Sequence, residues 1–194
     1  MNQTGQTARY SYGYRRSADQ DCAVPPRHPV VIVGAGPVGL AAAIDFAQRG
    51  IASVVLDDAD RIGEGSRAIC FSKRTLEIMA RLGLGRPLVE KGVTWKLGKV
   101  FLGEDQVYSF DLLPEDGHAM PAFINLQQYY LEHFLVERAA ELPLIDLRWS
   151  NRVTAVGKTG EGVRVSIGEK AANDVLLAVA ATFPNGPFSG AQSP

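Results

Sequence analysis

The chain has 194 residues, 46% of them hydrophobic and 21% charged, and its formal net charge is −1. These values are typical of one ordinary soluble globular domain. A near-neutral charge provides no general basic surface for nucleic acid. The longest apolar stretch, which starts at Val30, is interrupted by glycine and proline, so we expect no membrane span and a cytoplasmic protein.

The chain divides into three predicted regions. Residues 1–29 are polar and proline-containing and lack hydrophobic periodicity, which predicts an extended or disordered segment. Periodic segments fill residues 30–182, which are predicted to form the folded domain. Residues 183–194 are rich in proline and glycine and are predicted to be an irregular tail. Cys22 and Cys70 match no metal-binding spacing, so we expect free thiols in a reducing compartment.

The first periodic elements form a β–α–β unit. Residues 30–33 are all β-branched, as in a strand that is buried on both faces. Apolar residues then recur at helical spacing, and Gly50 is a natural end for that helix. "SVVL" at residues 53–56 predicts a second buried strand. A strand, a helix and a strand in this order imply a parallel pair. The helical stripe consists of Leu40, Ala43, Ile44 and Ala47.

Further elements follow in chain order. A second helix is predicted from Ser72, which can cap its first turn, to Gly83. Alternating patterns predict antiparallel hairpins at residues 99–112 and 152–168. Residues 125–142 read as a third helix, and "DVLLAVA" at residues 174–180 reads as one buried strand. The predicted fold is therefore α/β: a Rossmann-like βαβ domain with antiparallel additions.

The turn between the first strand and the first helix carries a GxGxxG pattern, "GAGPVG". The three glycines serve a tight turn, a close approach of backbone to a pyrophosphate, and close packing of the helix on the strand. Pro37 suits the first helical turn, where its missing N–H costs little. The free N–H groups at the helix start then favour an anion. We predict dinucleotide binding by Gly34, Gly36, Pro37, Val38 and Gly39.

A carboxylate is expected where the second strand ends, about 20 residues past the glycines, to accept hydrogen bonds from the adenosine ribose. Asp57 lies nearest the strand end, and Asp58 and Asp60 are alternatives. A carboxylate there would repel a 2′-phosphate, which disfavours NADP at this site. FAD and NAD carry the same adenosine ribose, so these residues do not separate them.

Two further segments resemble a known family. "GSRAICFSKRTLEIMARLGLG" at residues 65–85 and "FINLQQYYLEHFLVERA" at residues 123–139 resemble blocks of the FAD-dependent aromatic hydroxylases. These are single-component flavoprotein monooxygenases of the p-hydroxybenzoate and 3-(3-hydroxyphenyl)propionate hydroxylase type. The resemblance covers roughly residues 10–180. It implies that Arg67 lies beside FAD and that Gln128, or alternatively Gln127, binds the ribityl chain of the flavin.

The same resemblance implies a reaction. NAD(P)H would be the co-substrate that reduces FAD, and O₂ would supply the oxygen that is transferred to a phenolic ring. His28, His118 and His133 are far apart in sequence and have no matched partners, so we predict no metal site and assign no catalytic residue. An NAD-dependent dehydrogenase is the less favoured alternative, because no His, Tyr–Lys or Cys arrangement of that class is visible.

The resemblance departs from the family near the end of the chain. Family members are longer, and after the strand that matches residues 174–180 they carry a second flavin motif, roughly "DGARSPVR". Here "SGAQSP" is either a degraded form of that motif, with Ser189 and Gln192 in place of Asp and Arg, or an unrelated tail. We therefore expect a truncated domain that is incomplete as a catalyst. A non-catalytic FAD- or ADP-binding module is the alternative function.

Overall fold

A computed structural model describes residues 10–24, 26–63, 68–160, 162–168, 170–175 and 178–180, the last two ranges as backbone only. The helices are α1 (Pro37–Gln48), α2 (Lys73–Arg81), α3 (Gly85–Lys91) and α4 (Gln128–Ala140), with a 3₁₀ turn at Ala18–Asp21. The strands are β1 (Val30–Val33), β2 (Ser53–Leu56), β3 (Cys70–Ser72), β4 (Val93–Trp95), β5 (Leu97–Leu102), β6 (Asp105–Asp111), β7 (Phe123–Asn125), β8 (Ile145–Arg148), β9 (Val153–Thr159), β10 (Gly162–Ile167), β11 (Lys170–Val175) and β12 (Ala178–Ala180). This is the α/β fold predicted from the sequence.

A parallel four-stranded sheet with the order β12–β1–β2–β8 forms the centre of the domain. Successive side chains of a strand point to opposite faces, so an all-apolar strand needs a cover on each side. Val30 and Ile32 pack with the helices on one face. Val31 packs on the other face against Val165 of β10. The uninterrupted apolar run at residues 30–33 follows from this burial on both sides.

The glycines and the serine predicted to bound the first two helices are found at their ends. Gly50 follows α1 with a positive φ of 76°, and Gly83 follows α2 with a φ of 91°, conformations that favour glycine. The Ser72 hydroxyl accepts a hydrogen bond from the backbone N–H of Thr75 and so caps α2. Leu40, Ala43 and Ile44 of the predicted stripe lie in the main core with Leu131 and Leu135 of α4, and Ala47 is also buried.

Both predicted hairpins are present, as β5–β6 and as β9–β10. The helix predicted over residues 125–142 begins later, at Gln128, and this part of the prediction was wrong. Asn125 belongs to β7, where it pairs with Cys70 of β3 and Val93 of β4. The helical pattern of the sequence cannot reveal this pairing, because both partners are distant in the chain.

The single strand predicted at residues 174–180 was also wrong, because the chain changes sheets within it. Lys170–Val175 pairs antiparallel with β10, whereas Ala178–Ala180 pairs parallel with β1. Residues 175–180 are an uninterrupted apolar run, which fits a strand of either sheet, so the sequence alone could not reveal the change of partner.

The described part of the segment before β1 runs along the domain in a mostly extended form. The backbone N–H of Tyr12 donates to the carbonyl of Asp60 at 2.6 Å, and its ring stacks on Trp149 with a centroid distance of 4.7 Å. Asp19 pairs with the buried guanidinium of Arg148 at 2.7 Å. Residues 1–9 and 183–194 lie outside the described residues, and the predicted boundaries stay predictions. Across the described ranges, no helix is long and apolar enough to span a membrane.

Candidate functional site

The glycine turn after β1 has the geometry that its sequence predicts. Gly34 has a φ of 107°, and its N–H donates to the carbonyl of Leu56 at 2.7 Å, so the turn is tied to the end of β2. A Cβ at Gly39 would overlap the carbonyl oxygen of Gly34. The first glycine is therefore needed for the backbone conformation, and the third for the close packing of α1 on the turn.

Gly36 differs, because the protein itself does not require glycine there. Its φ of −74° and ψ of 179° are open to any residue, and a Cβ would meet no atom of the described residues within 4 Å. Gly36 is the N-cap of α1, and no side chain in the described part of the protein caps that helix. Pro37 and the half-exposed Val38 open its first turn. The turn thus leaves room, beside an uncapped helix start, for a pyrophosphate.

Asp57 lies immediately after β2 and holds the glycine turn. Its Oδ2 accepts a hydrogen bond from the backbone N–H of Ala35 at 2.6 Å, and its Oδ1 accepts one from that of Ala59 at 2.9 Å. Burial raises the pKa of Asp57, and the two N–H donors offset part of this effect. Because each carboxylate oxygen can accept two hydrogen bonds, both retain an acceptor position for ribose hydroxyls.

The two neighbouring carboxylates are placed differently. Asp58 is exposed, and it accepts no hydrogen bond from any residue that the structure describes. Asp60 pairs with Arg61, with 2.7 Å between Oδ1 and Nε. Only Asp57 of the three contacts the glycine turn, so it remains the predicted ribose ligand, with Asp58 next to it at the surface.

The loop after β8 joins this site and was missed in the sequence. The backbone N–H of Asn151 donates to the carbonyl of Asp57 at 2.7 Å, and that of Ser150 donates to Ala59 at 2.9 Å. Ser150 has a positive φ of 57°, which is uncommon for a residue with a side chain. The sequence did not predict β8, so it gave no reason to place the loop after β8 near Asp57.

The predicted flavin contacts are only partly described. Arg67 falls in residues 64–67, which lie outside the described residues. Gln128 is the first residue of α4, and its Nε2 donates to Oε1 of Glu132 at 2.6 Å. Oε2 of the buried Glu132 accepts the backbone N–H of Gly63 at 2.8 Å. Glu132 therefore connects Gln128 with the segment that follows Asp57.

Comparison with known proteins gives one consistent result. Residues 27–183 match the model of the family described as FAD binding domain. The chain is 27% identical to a flavin-dependent monooxygenase of Mycobacteroides abscessus, covering 77% of this chain and 33% of that protein. It is 28% identical to a para-nitrophenol 4-monooxygenase of a Pseudomonas strain, covering 66% and 32%. The chain thus spans about a third of the length of these curated relatives.

Solved structures agree with the sequence relatives. The crystal structure of p-nitrophenol 4-monooxygenase from Pseudomonas putida superimposes with a TM-score of 0.73 at 25% identity, over 80% of this chain and 41% of that one. The family match over residues 27–183 includes both the glycine turn and Asp57.

Proposed function

Because the chain belongs to the FAD binding domain family, we propose that it binds FAD as the cofactor-binding part of an oxidoreductase that hydroxylates phenolic aromatic rings. NAD(P)H is the co-substrate and O₂ the oxygen donor of this proposed reaction. The two free, exposed cysteines suit a reducing cytoplasm, which is the location we assign to it.

One observation carries the cofactor-binding part of the proposal. Gly36 is a glycine that neither backbone conformation nor packing against the described residues demands, and it stands at an uncapped helix start. Asp57 is bonded to the adjacent Ala35, so the predicted ribose ligand is fixed beside the turn. A group with a pyrophosphate joined to a ribose fits both features.

Different residues would contact different parts of the cofactor. Gly34, Gly36 and Gly39, with the backbone of Pro37 and Val38, would hold the pyrophosphate, and Asp57 would accept hydrogen bonds from the adenosine ribose. Arg67 and Gln128 would lie at the flavin end. When bound, FAD supplies the redox chemistry that these side chains lack, while the protein binds and orients it.

The cofactor assignment is tested by the visible absorption spectrum of the purified chain and by titration with FAD and ADP. We expect a flavin band in the purified or FAD-loaded chain, and its loss in Gly36→Val, whose side chain would fill the pyrophosphate space. Gly157→Val is the matched control, because its Cβ also meets no described atom within 4 Å but lies in β9, away from the turn. A folded chain that binds neither FAD nor ADP would refute the proposal.

FAD or ADP binding without turnover is the second candidate for the chain, which spans about a third of its relatives' length. The two candidates differ in phenol-dependent oxidation of NAD(P)H. We expect little such oxidation from this chain alone, and a robust rate would exclude the non-catalytic alternative.

A further inference from the structure

We propose that Glu132 is a positioning residue that orients the side-chain amide of Gln128 so that its carbonyl oxygen is presented to a hydroxyl of the bound cofactor. This inference rests on the proposed FAD binding and extends it to a residue that does not itself touch the cofactor.

Glu132 is a carboxylate with defined partners in the core. It is 5% exposed and lies one helical turn after Gln128, so the two side chains share one face of α4. One of its oxygens accepts the N–H of Gly63 at 2.8 Å, and the other accepts Nε2 of Gln128 at 2.6 Å. A buried carboxylate requires such partners, so the arrangement is strongly held.

The chemistry of these three groups fixes the orientation of the amide. The backbone N–H of Gly63 can only donate, and an ionised carboxylate can only accept. The group of Gln128 that faces Glu132 must therefore be its NH₂. Its carbonyl oxygen then points away from Glu132, and within the described residues no group donates to it.

An amide oxygen in this position selects its partner by polarity. It accepts a hydrogen bond from a hydroxyl group, but it repels the oxygens of a phosphate. Gln128 is thus set to recognise a polyol chain, such as the ribityl part of FAD, rather than the pyrophosphate. The same carboxylate accepts the N–H of Gly63, so it connects Gln128 with the segment that follows Asp57.

The substitution Glu132→Gln is expected to reverse the orientation of the Gln128 amide with little change in side-chain volume at residue 132. The new amide must turn its oxygen toward the fixed N–H of Gly63, so its NH₂ faces Gln128. Gln128 must then rotate its amide and present NH₂ to the cofactor, so a ribityl hydroxyl loses the acceptor for its O–H, although its oxygen can still accept from the NH₂. We expect FAD to bind about three- to tenfold more weakly and ADP to bind within about twofold of the original chain, because ADP lacks the ribityl chain.

A double-mutant cycle with Gln128→Ala separates this role from a merely structural one. If Glu132 acts through Gln128, Glu132→Gln has no further effect on FAD affinity in the Gln128→Ala chain. Additive losses, or an equal loss for ADP and FAD, would overturn the inference. If Glu132→Gln does not fold, Glu132→Asp keeps the charge but is one methylene too short to hold Gly63 and Gln128 together, and release of Gln128 must show the same FAD-selective loss. A wild-type chain that binds no FAD would refute the proposed function itself, which is a separate result.

Discussion

Asp57→Asn should destabilise the protein and weaken nucleotide binding together, because the carboxylate serves the fold and the site. Both of its oxygens accept backbone N–H groups, from Ala35 and Ala59. An asparagine must place its NH₂ against one of these donors. A hydrogen bond to a charged group contributes about 1.5–3 kcal/mol, but asparagine also removes a buried charge whose desolvation raises the pKa of Asp57. We therefore expect a loss of about 1–2 kcal/mol in the free energy of unfolding. At about 2–4 °C per kcal/mol, Tm should fall by about 2–8 °C.

The same substitution removes an acceptor from the ribose hydroxyls. We expect ADP affinity, measured by calorimetric titration below the new Tm, to fall about 10- to 100-fold. Asp58→Asn is the matched control, because it makes the same charge change at the adjacent exposed position. Its stability should change by less than about 0.5 kcal/mol and its ADP affinity should not change. Normal ADP binding by a destabilised Asp57→Asn would show that Asp57 only supports the turn.

The pH dependence of ADP binding gives a second test of the same carboxylate. Burial raises the pKa of Asp57, so its protonation begins at a higher pH than that of an ordinary aspartate. The stability that this shift contributes is present at pH values below the pKa of Asp57 in the unfolded chain. It is lost as the pH rises through the higher pKa of Asp57 in the folded protein. ADP binding has the opposite dependence, because a ribose needs the ionised form, so affinity should fall as pH falls through the raised pKa. Asp57→Asn should lack this step.

The remaining predictions use paired substitutions. Gly36→Ala should leave Tm unchanged while weakening ADP and FAD binding. Gly39→Ala should lower Tm, because its Cβ would overlap the carbonyl oxygen of Gly34. Equal Tm values for the two variants would contradict the close packing of α1 on the glycine turn. Asp19→Asn should cost about 1–2 kcal/mol in urea unfolding, because the buried Arg148 loses one of its two carboxylate partners and keeps Asp146. The exposed Asp21→Asn should cost little. Burial alone would raise the pKa of Asp19, but hydrogen bonds from Arg148 and a histidine lower it. The stability that this shift contributes is therefore present at pH values above the pKa of Asp19 in the unfolded chain. It should be lost as the pH falls through the lower pKa of Asp19 in the folded protein.

The sequence determined the elements whose residues are neighbours in the chain. The glycine turn, the two strands around α1 and the position of Asp57 all lie within residues 30–57. Ser72 as a helix cap and both hairpins were likewise predicted, because caps and short turns depend on adjacent residues. Sequence resemblance to the aromatic hydroxylases then led from a dinucleotide to FAD, in agreement with the family match.

Only the tertiary structure decided the contacts between distant segments. It placed the loop after β8 against Asp57, assigned residues 170–175 and 178–180 to different sheets, and buried Glu132 between Gln128 and Gly63. Glu132 in particular has the sequence appearance of a solvent-facing helix residue, and its role depends on an N–H from far along the chain. Local patterns record which face of an element is apolar, but they carry no information about which distant element covers that face or satisfies its polar groups.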